Sequence, residues 1–223
     1  VLCVEKCSFV IVSCVRKCNL SLCTCVEKCK HQAFLCVEKC RAMKRKIYTQ
    51  LISWKNQERH KPLILNGVRQ CGKTYILKEF GRKEFENLAY ISCDRNENLH
   101  AIYSGDFDTS RIIRGLSALT GVDIIPGKTL IFLDEVQAFP QALEALKYFC
   151  EDAPEYHIVV AGSLLGVALH AGVSFPVGKV QTMRLFPMDF EEFLMAMGEN
   201  QLLKLMHSED YELMNAFHEK LKD

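Results

Sequence analysis

The stretch "GVRQCGKT" at residues 67–74 constrains the fold more than any other feature of this chain. It fits G-x-x-x-x-G-K-[ST], a pattern short enough to arise by chance, so its setting has to carry the reading. Before it stands "KPLILNG" (61–67), an apolar run ending in glycine that reads as a buried strand. After it, "GKTYILKEFG" (72–81) reads as a helix stopped by Gly81. Strand, glycine-rich turn and helix are what a phosphate-cradling loop needs. Gly67 and Gly72 let the backbone turn its amides inward, and the helix N-terminus adds partial positive charge. On this reading Gly67, Val68, Arg69, Gln70, Cys71, Gly72, Lys73 and Thr74 together cradle the phosphates of a nucleotide. Lys73 reaches the β- and γ-phosphates, and the Thr74 hydroxyl ligates Mg²⁺.

A second element lies downstream. "TLIFLDE" is an apolar strand ending in adjacent carboxylates. By itself such an end is more often a solvated strand terminus. Behind the glycine-rich loop it reads as a metal ligand, Asp134, beside a base that polarises water, Glu135, the two pointing to opposite faces. A third element is the strand "HIVVAGS" (157–163). Ser163 at its end either lies beside the γ-phosphate, if this strand runs between the other two, or caps a helix over "LLGVALH".

The rest of the chain alternates in the same way. "MKRKIYTQLISWKNQERH" (43–60) puts Ile47, Leu51 and Trp54 on one helical face. "NLAYISCD" (87–94) reads as a strand and "DTSRIIRGLSALTG" (108–121) as a helix capped by Asp108 and ended by Gly121. "KTLIFLDE" (128–135) is apolar on both faces, which requires a sheet covered on both sides. "PQALEALKYFCED" (140–152) opens on a helix-starting proline, "KVQTMRLFP" (179–187) is a fifth strand, and "DFEEFLMAMG" (189–198) a capped helix. Strands alternating with helices mean an α/β fold with a mainly parallel sheet.

Four segments in order, "KPLILNGVRQCGKTYILKEFG", "TLIFLDEVQ", "FCEDAPEYHIVVAGSLLG" and "SFPVGKVQTMRLFPMDFEEFL", resemble the AAA+-type ATPase domain of a large prokaryotic family. Members of that family usually carry a further C-terminal domain. The resemblance runs from about Met43 to the end of the sequence. It implies a P-loop NTPase three-layer sandwich with a mainly parallel five-stranded sheet, the strand of Ser163 lying between the other two. It implies ATP and Mg²⁺ rather than GTP, and the absence of a guanine-selecting N-K-x-D motif agrees. Carried over by position, Lys73 and Thr74 are the Walker A residues, Asp134 and Glu135 the Walker B pair, and Ser163 the sensor. No second sensor or arginine finger is assigned; Arg111, Arg114, Arg184 and Lys179 stand unranked for those roles. The activity implied is ATP hydrolysis. A slow-turnover switch that positions a C-terminal effector domain or another protein partner stays open, because no finger is assigned and the present sequence does not include the C-terminal domain that the resemblance leads one to expect.

Cys71, inside the loop and beside a helix N-terminus, is in the setting where thiols become reactive. It reads first as a small residue that fits, and second as a site whose oxidation blocks nucleotide binding. Nine of the twelve cysteines lie elsewhere, in the first 40 residues, where C-x-x-x-C recurs at Cys3, Cys14, Cys25 and Cys36 with a period of 11. If helical, successive pairs would stack roughly 16 Å apart, too far to share one zinc ion with ligands at ~2.3 Å. Met43 is the first methionine and stands directly before the resemblance. Residues 1–42 are therefore expected to be translated repetitive DNA upstream of the natural start. A metal-binding or oligomerising appendage and a segment without a stable fold are the alternatives. The expected division is 1–42 as that appendage, 43–200 as the ATPase domain, and 201–223 as the start of a helical region. Beyond residue 42 the charge is slightly acidic, so charge does not indicate nucleic acid. With neither a signal peptide nor a membrane-spanning run, the expected compartment is the cytoplasm. Oligomeric state is not legible.

Overall fold

The computed structural model describes residues 45–94, 96–105, 107–163, 178–208 and 210–216. The cysteine repeats and the expected helix over 164–170 lie outside them.

Five strands build one sheet: β1 (Leu63–Gly67), β2 (Asn87–Ser92), β3 (Thr129–Asp134), β4 (His157–Gly162) and β5 (Gln181–Leu185). Their order is β2-β3-β4-β1-β5, and every pairing is parallel. Parallel neighbours need a crossover, and helices supply it. α2 (Lys73–Glu84) lies between β1 and β2, α3 (Asn98–Ile102) and α4 (Thr109–Thr120) between β2 and β3, and α5 (Gln141–Asp152) between β3 and β4, while α1 (Ile47–Lys55) precedes β1 and α6 (Phe190–Met197) follows β5. β3 and β4 are buried at every position because they occupy the middle of the sheet with helices over both faces. The expected α/β three-layer sandwich with a parallel five-stranded sheet is therefore the fold, and β4 lies between β3 and β1 as expected.

Alternation along the strands sorts the core into two halves. On one face Ile64, Ile131, Leu133 and Val160 pack with Ile112 and Leu116 of α4 and Leu146 and Phe149 of α5. On the other, Leu63, Leu65, Phe132 and Val159 pack with Leu51 and Trp54 of α1 and Ile76, Leu77 and Phe80 of α2. Each such side chain contributes about 1.5–3 kcal/mol by leaving water. The indole of Trp54 also keeps a partner, donating from Nε1 to Lys61 O at 2.8 Å.

Helix ends follow local chemistry where it is strong. Asp108 accepts from Ser110 N at 3.0 Å, and Gly121 ends α4 in the left-handed region (φ 66). Asp189 and Glu192 form a reciprocal capping box, with Glu192 N donating to Asp189 Oδ1 at 2.8 Å and Asp189 N to Glu192 Oε2 at 3.2 Å. Gly81 departs from the expectation: α2 runs through it to Glu84. A Cβ at Gly81 would meet Leu88 Cδ1 at 2.7 Å and Leu130 Cδ2 at 3.2 Å, so this glycine serves close packing and not termination. The expected α1 over 43–60 is also shorter, ending at Lys55.

At the N-terminal end of β4, the His60 and His157 rings stack with centroids 3.7 Å apart, and Trp54 meets both edge-on. His157 Nε2 lies 3.3 Å from Lys55 O, which can only accept, so that nitrogen carries the proton. Burial, then the neighbouring His60, lowers the His157 pKa to about 4, and burial lowers that of His60 too.

Lys44–Phe193 form one compact unit. Beyond it, Asn200–Met206 (α7) and Tyr211–Ala216 (α8) are two short helices, α8 capped by Asp210 Oδ1 accepting from Leu213 N at 3.0 Å. Among the described residues, no helix is long and apolar enough to cross a membrane.

Candidate functional site

The strand register brings the C-terminal ends of β1, β3 and β4 to one edge of the sheet. Open parallel sheets bind ligands at that edge. The loop 67–72 leaves β1 there. Gly67 starts it pressed against β5, since a Cβ would meet Leu185 O at 2.5 Å. Two residues then take left-handed conformations, Gln70 at φ 65 and Gly72 at φ 97. Gly72 does so freely, whereas Gln70 carries a strain of about 1 kcal/mol or more. Val68, Arg69 and Gln70 are exposed, so what they offer a ligand is chiefly backbone. The Cys71 thiol instead turns to β5, with Sγ 3.7 Å from Leu185 O.

Lys73 opens α2 and is buried. Its ammonium donates to Gly67 O at 2.9 Å and Val68 O at 2.8 Å, curling back over the loop it follows. Both of these partners are carbonyls, and among the described residues Lys73 forms no ion pair within 4.0 Å. The first amides of α2 have no intrahelical acceptor, which leaves the helix start a second source of positive potential.

Thr74 is the next residue, and its Oγ1 donates to Asp134 Oδ2 at 2.8 Å. Asp134 ends β3 and is buried. It also accepts from Tyr90 OH at 3.3 Å and, at Oδ1, from Glu135 N at 3.1 Å. Burial raises its carboxyl pKa, and the adjacent Glu135 adds to the rise, against the hydrogen bonds that favour the ionised form. Glu135 leaves the strand in a left-handed conformation (φ 53). Its Oε2 accepts from Gln137 Nε2 and from Ser163 Oγ, the latter at 3.5 Å. The two adjacent carboxylates therefore have different side-chain partners, Thr74 and Tyr90 for Asp134, Gln137 and Ser163 for Glu135.

A family model described as an AAA domain matches residues 59–194. The chain belongs to this AAA domain family. Among solved structures, this AAA domain is similar to the Walker-type ATPase PABY2304 of Pyrococcus abyssi, at 15% identity and a TM-score of 0.46. The match covers 70% of this chain and 57% of that one, so the chain spans little more than half of its length. No match was found among curated proteins.

An oxygen pair made of a hydroxyl and a buried carboxylate suits a hard cation such as Mg²⁺. In the AAA domain, Thr74 and Asp134 are the residues that could hold it, with the loop and Lys73 beside them. Among the described residues, no cluster of three or more His, Cys, Asp or Glu offers another metal site.

Several side chains around the site carry no motif. Tyr90 reaches Asp134 from β2, and burial with the Asp134 charge lifts its phenol to about 12. Lys78, one turn beyond Thr74, sits 3.4 Å from the Tyr90 ring centroid. Gln137 holds Glu135. Only the alternation of "NLAYIS" hinted at Tyr90, by placing it on the same strand face as Ser92, whose register partner is Asp134. Of the basic residues without an assigned role, three are engaged locally. Arg111 donates to Ala101 O at 2.9 Å and to Ser104, Lys179 pairs with Glu151 at 2.9 Å, and Arg184 lies over the Phe186 ring.

Proposed function

We propose that this AAA domain binds ATP with Mg²⁺ and hydrolyses it. The observation that carries the reading is the meeting of Thr74 and Asp134 at 2.8 Å, beside a buried Lys73 whose ammonium, among the described residues, bonds to loop carbonyls. A loop with uncompensated positive charge favours a polyanion, and the oxygen pair favours the cation that accompanies it. When bound, Mg²⁺ supplies charge neutralisation across the terminal phosphate oxygens.

The chain's own residues take the remaining roles. The loop amides and Lys73 orient the phosphates, and a positive partner would offset the burial that raises the Asp134 pKa. Glu135 is the group placed to accept a proton from water, with Gln137 and Ser163 holding its carboxylate in one orientation. Ser163 is thereby proposed as the sensor, one bond from the base. The free thiols Cys71, Cys93 and Cys150 suit a reducing cytoplasm, the compartment proposed for this domain. The ATPase domain is taken to run over 43–200, with 201–223 opening a further helical region.

A slow-turnover switch is the second reading. The local engagement of Arg111, Lys179 and Arg184 supports it, since three of the four basic candidates have partners of their own in this conformation. ATP binding and phosphate release by the wild type, Lys73→Ala and Glu135→Gln separate the two. Hydrolysis predicts turnover that Glu135→Gln loses while keeping ATP, and Lys73→Ala loses both. ATP binding without turnover in the wild type selects the switch, and no ATP binding by the wild type rejects both.

A further inference from the structure

Arg45 stands just before α1, outside the matched segment 59–194 and outside every motif. It is buried, and its guanidinium spans three separate pieces of chain. Nε donates to Glu192 Oε2 at 3.0 Å, Nη1 to Cys71 O at 3.1 Å, and Nη2 to Phe186 O at 2.7 Å. The acceptors belong to the first turn of α6, the phosphate loop and the exit from β5. Glu192 also accepts from Lys46 N at 2.7 Å and Asp189 N at 3.2 Å. Removing the guanidinium would leave that buried carboxylate without its charge partner, so the clamp is held firmly in place.

The consequence for the loop follows from peptide geometry. The Cys71 carbonyl and the Gly72 amide belong to one planar unit, and the described chain has no cis peptide bond. In a trans peptide the two groups point in opposite directions. A donor that fixes the carbonyl therefore fixes the direction of the amide. Gly72 itself gives no rigidity: it lacks a side chain and sits at φ 97, where the nearest atom to an added Cβ would be Arg45 Nη1 at 3.7 Å. The stiffness has to come from outside the loop.

We propose that Arg45 is a positioning residue of the phosphate loop. It clamps the Cys71 carbonyl so that the Gly72 amide is presented to phosphate oxygens, and through Glu192 it ties the loop to the start of α6. Three acceptors in three directions need a planar fork, which lysine lacks. The proposal rests on the nucleotide reading of this loop.

The test is ADP affinity, read by displacement of a fluorescent ADP analogue, together with the thermal midpoint without nucleotide. The proteins are the wild type, Arg45→Gln, Arg45→Lys and Leu51→Val, the last a core change in α1 at a residue that takes no part in the Arg45 hydrogen bonds. Both Arg45 variants are expected to weaken ADP by about tenfold or more. Leu51→Val is expected to lower the midpoint while keeping ADP affinity within about twofold of the wild type. Arg45 variants that bind ADP within about twofold of the wild type would overturn the proposal. So would a loss no greater than that of Leu51→Val. Should Arg45→Gln fail to fold, Arg45→Lys is judged by the same criterion. A wild type that binds no ADP removes the nucleotide reading itself, and this proposal with it.

Discussion

Thr74 and Asp134 are separated by 60 residues, yet the threonine hydroxyl donates to the aspartate carboxylate at 2.8 Å. The pairing joins the first turn of α2 to the end of β3, and among the described residues it leaves a buried carboxylate with hydroxyl and amide donors but no cation among its hydrogen-bond partners.

That charge should cost stability. Asp134 binds its proton more tightly in the folded chain than in the unfolded one, because burial raises its pKa. The cost is absent in acid, grows as pH rises through the carboxylate range, and is complete once pH exceeds the folded value. Asp134→Asn keeps an acceptor for Glu135 N and removes the charge. It should stabilise the nucleotide-free protein at neutral pH by about 1 kcal/mol, or about 2–4 °C, and abolish the Mg²⁺ dependence of ATP binding. Thermal melts with and without Mg²⁺–ATP check both parts, and a less stable variant would contradict the first.

Gly67→Ala should disable the loop. The added methyl would stand 2.5 Å from Leu185 O, a backbone atom of β5 that cannot move without shifting a paired strand. A cost of about 1–3 kcal/mol is expected, with weaker ATP binding. Gly81→Ala is the comparison: its methyl meets the tips of Leu88 and Leu130 side chains, which can rotate, and helix propensity returns about 1 kcal/mol. Urea midpoints that rank Gly81→Ala as the more damaging change would refute the distinction.

The His60–His157 stack should make the fold sensitive to acid. With the folded His157 pKa lowered to about 4, the folded chain takes up a proton less readily than the unfolded one. Stability is fully present above the ordinary histidine range and falls as pH drops from there toward about 4. The loss amounts to about 2 kcal/mol at about pH 5. Among the described residues, the groups facing the pair are Lys55, through its carbonyl and its charge, the backbone of Tyr156 and Gln57 at His60, and the rings of Trp54 and Phe85, none of them anionic. His157→Phe keeps an aromatic ring and should show a shallower acid slope in urea unfolding. An unchanged slope would count against the stack.

Ser163→Ala tests the link from β4 to Glu135. The bond is long, at 3.5 Å, so it can contribute little to stability. If it orients the base, kcat should fall by about tenfold while ATP affinity stays within about twofold. A change confined to affinity would instead place Ser163 on the nucleotide.

Much of this was legible along the chain because the signals are local. The apolar runs of β3 and β4 announce a sheet covered on both faces, and "GVRQCGKT" between strand and helix announces the loop. Asp108 and Gly121 mark the ends of α4 through bonds to their own neighbours. Gly81 shows where local signals mislead. A glycine late in a helical run reads as a stop, but here its missing side chain makes room for Leu88 and Leu130 from the sheet below.

The sequence by itself determined the class of fold and the residues that could carry phosphate chemistry, since both depend on the order and spacing of neighbours. Only the tertiary structure decided which distant groups meet. Tyr90 reaches Asp134 because β2 pairs with β3 in a register that aligns Ser92 with Asp134. Arg45 reaches Cys71, Phe186 and Glu192 because the fold brings three segments distant in sequence within the span of one guanidinium. Hydrogen bonds depend on distances of a few ångströms in space, and no spacing along the chain encodes those.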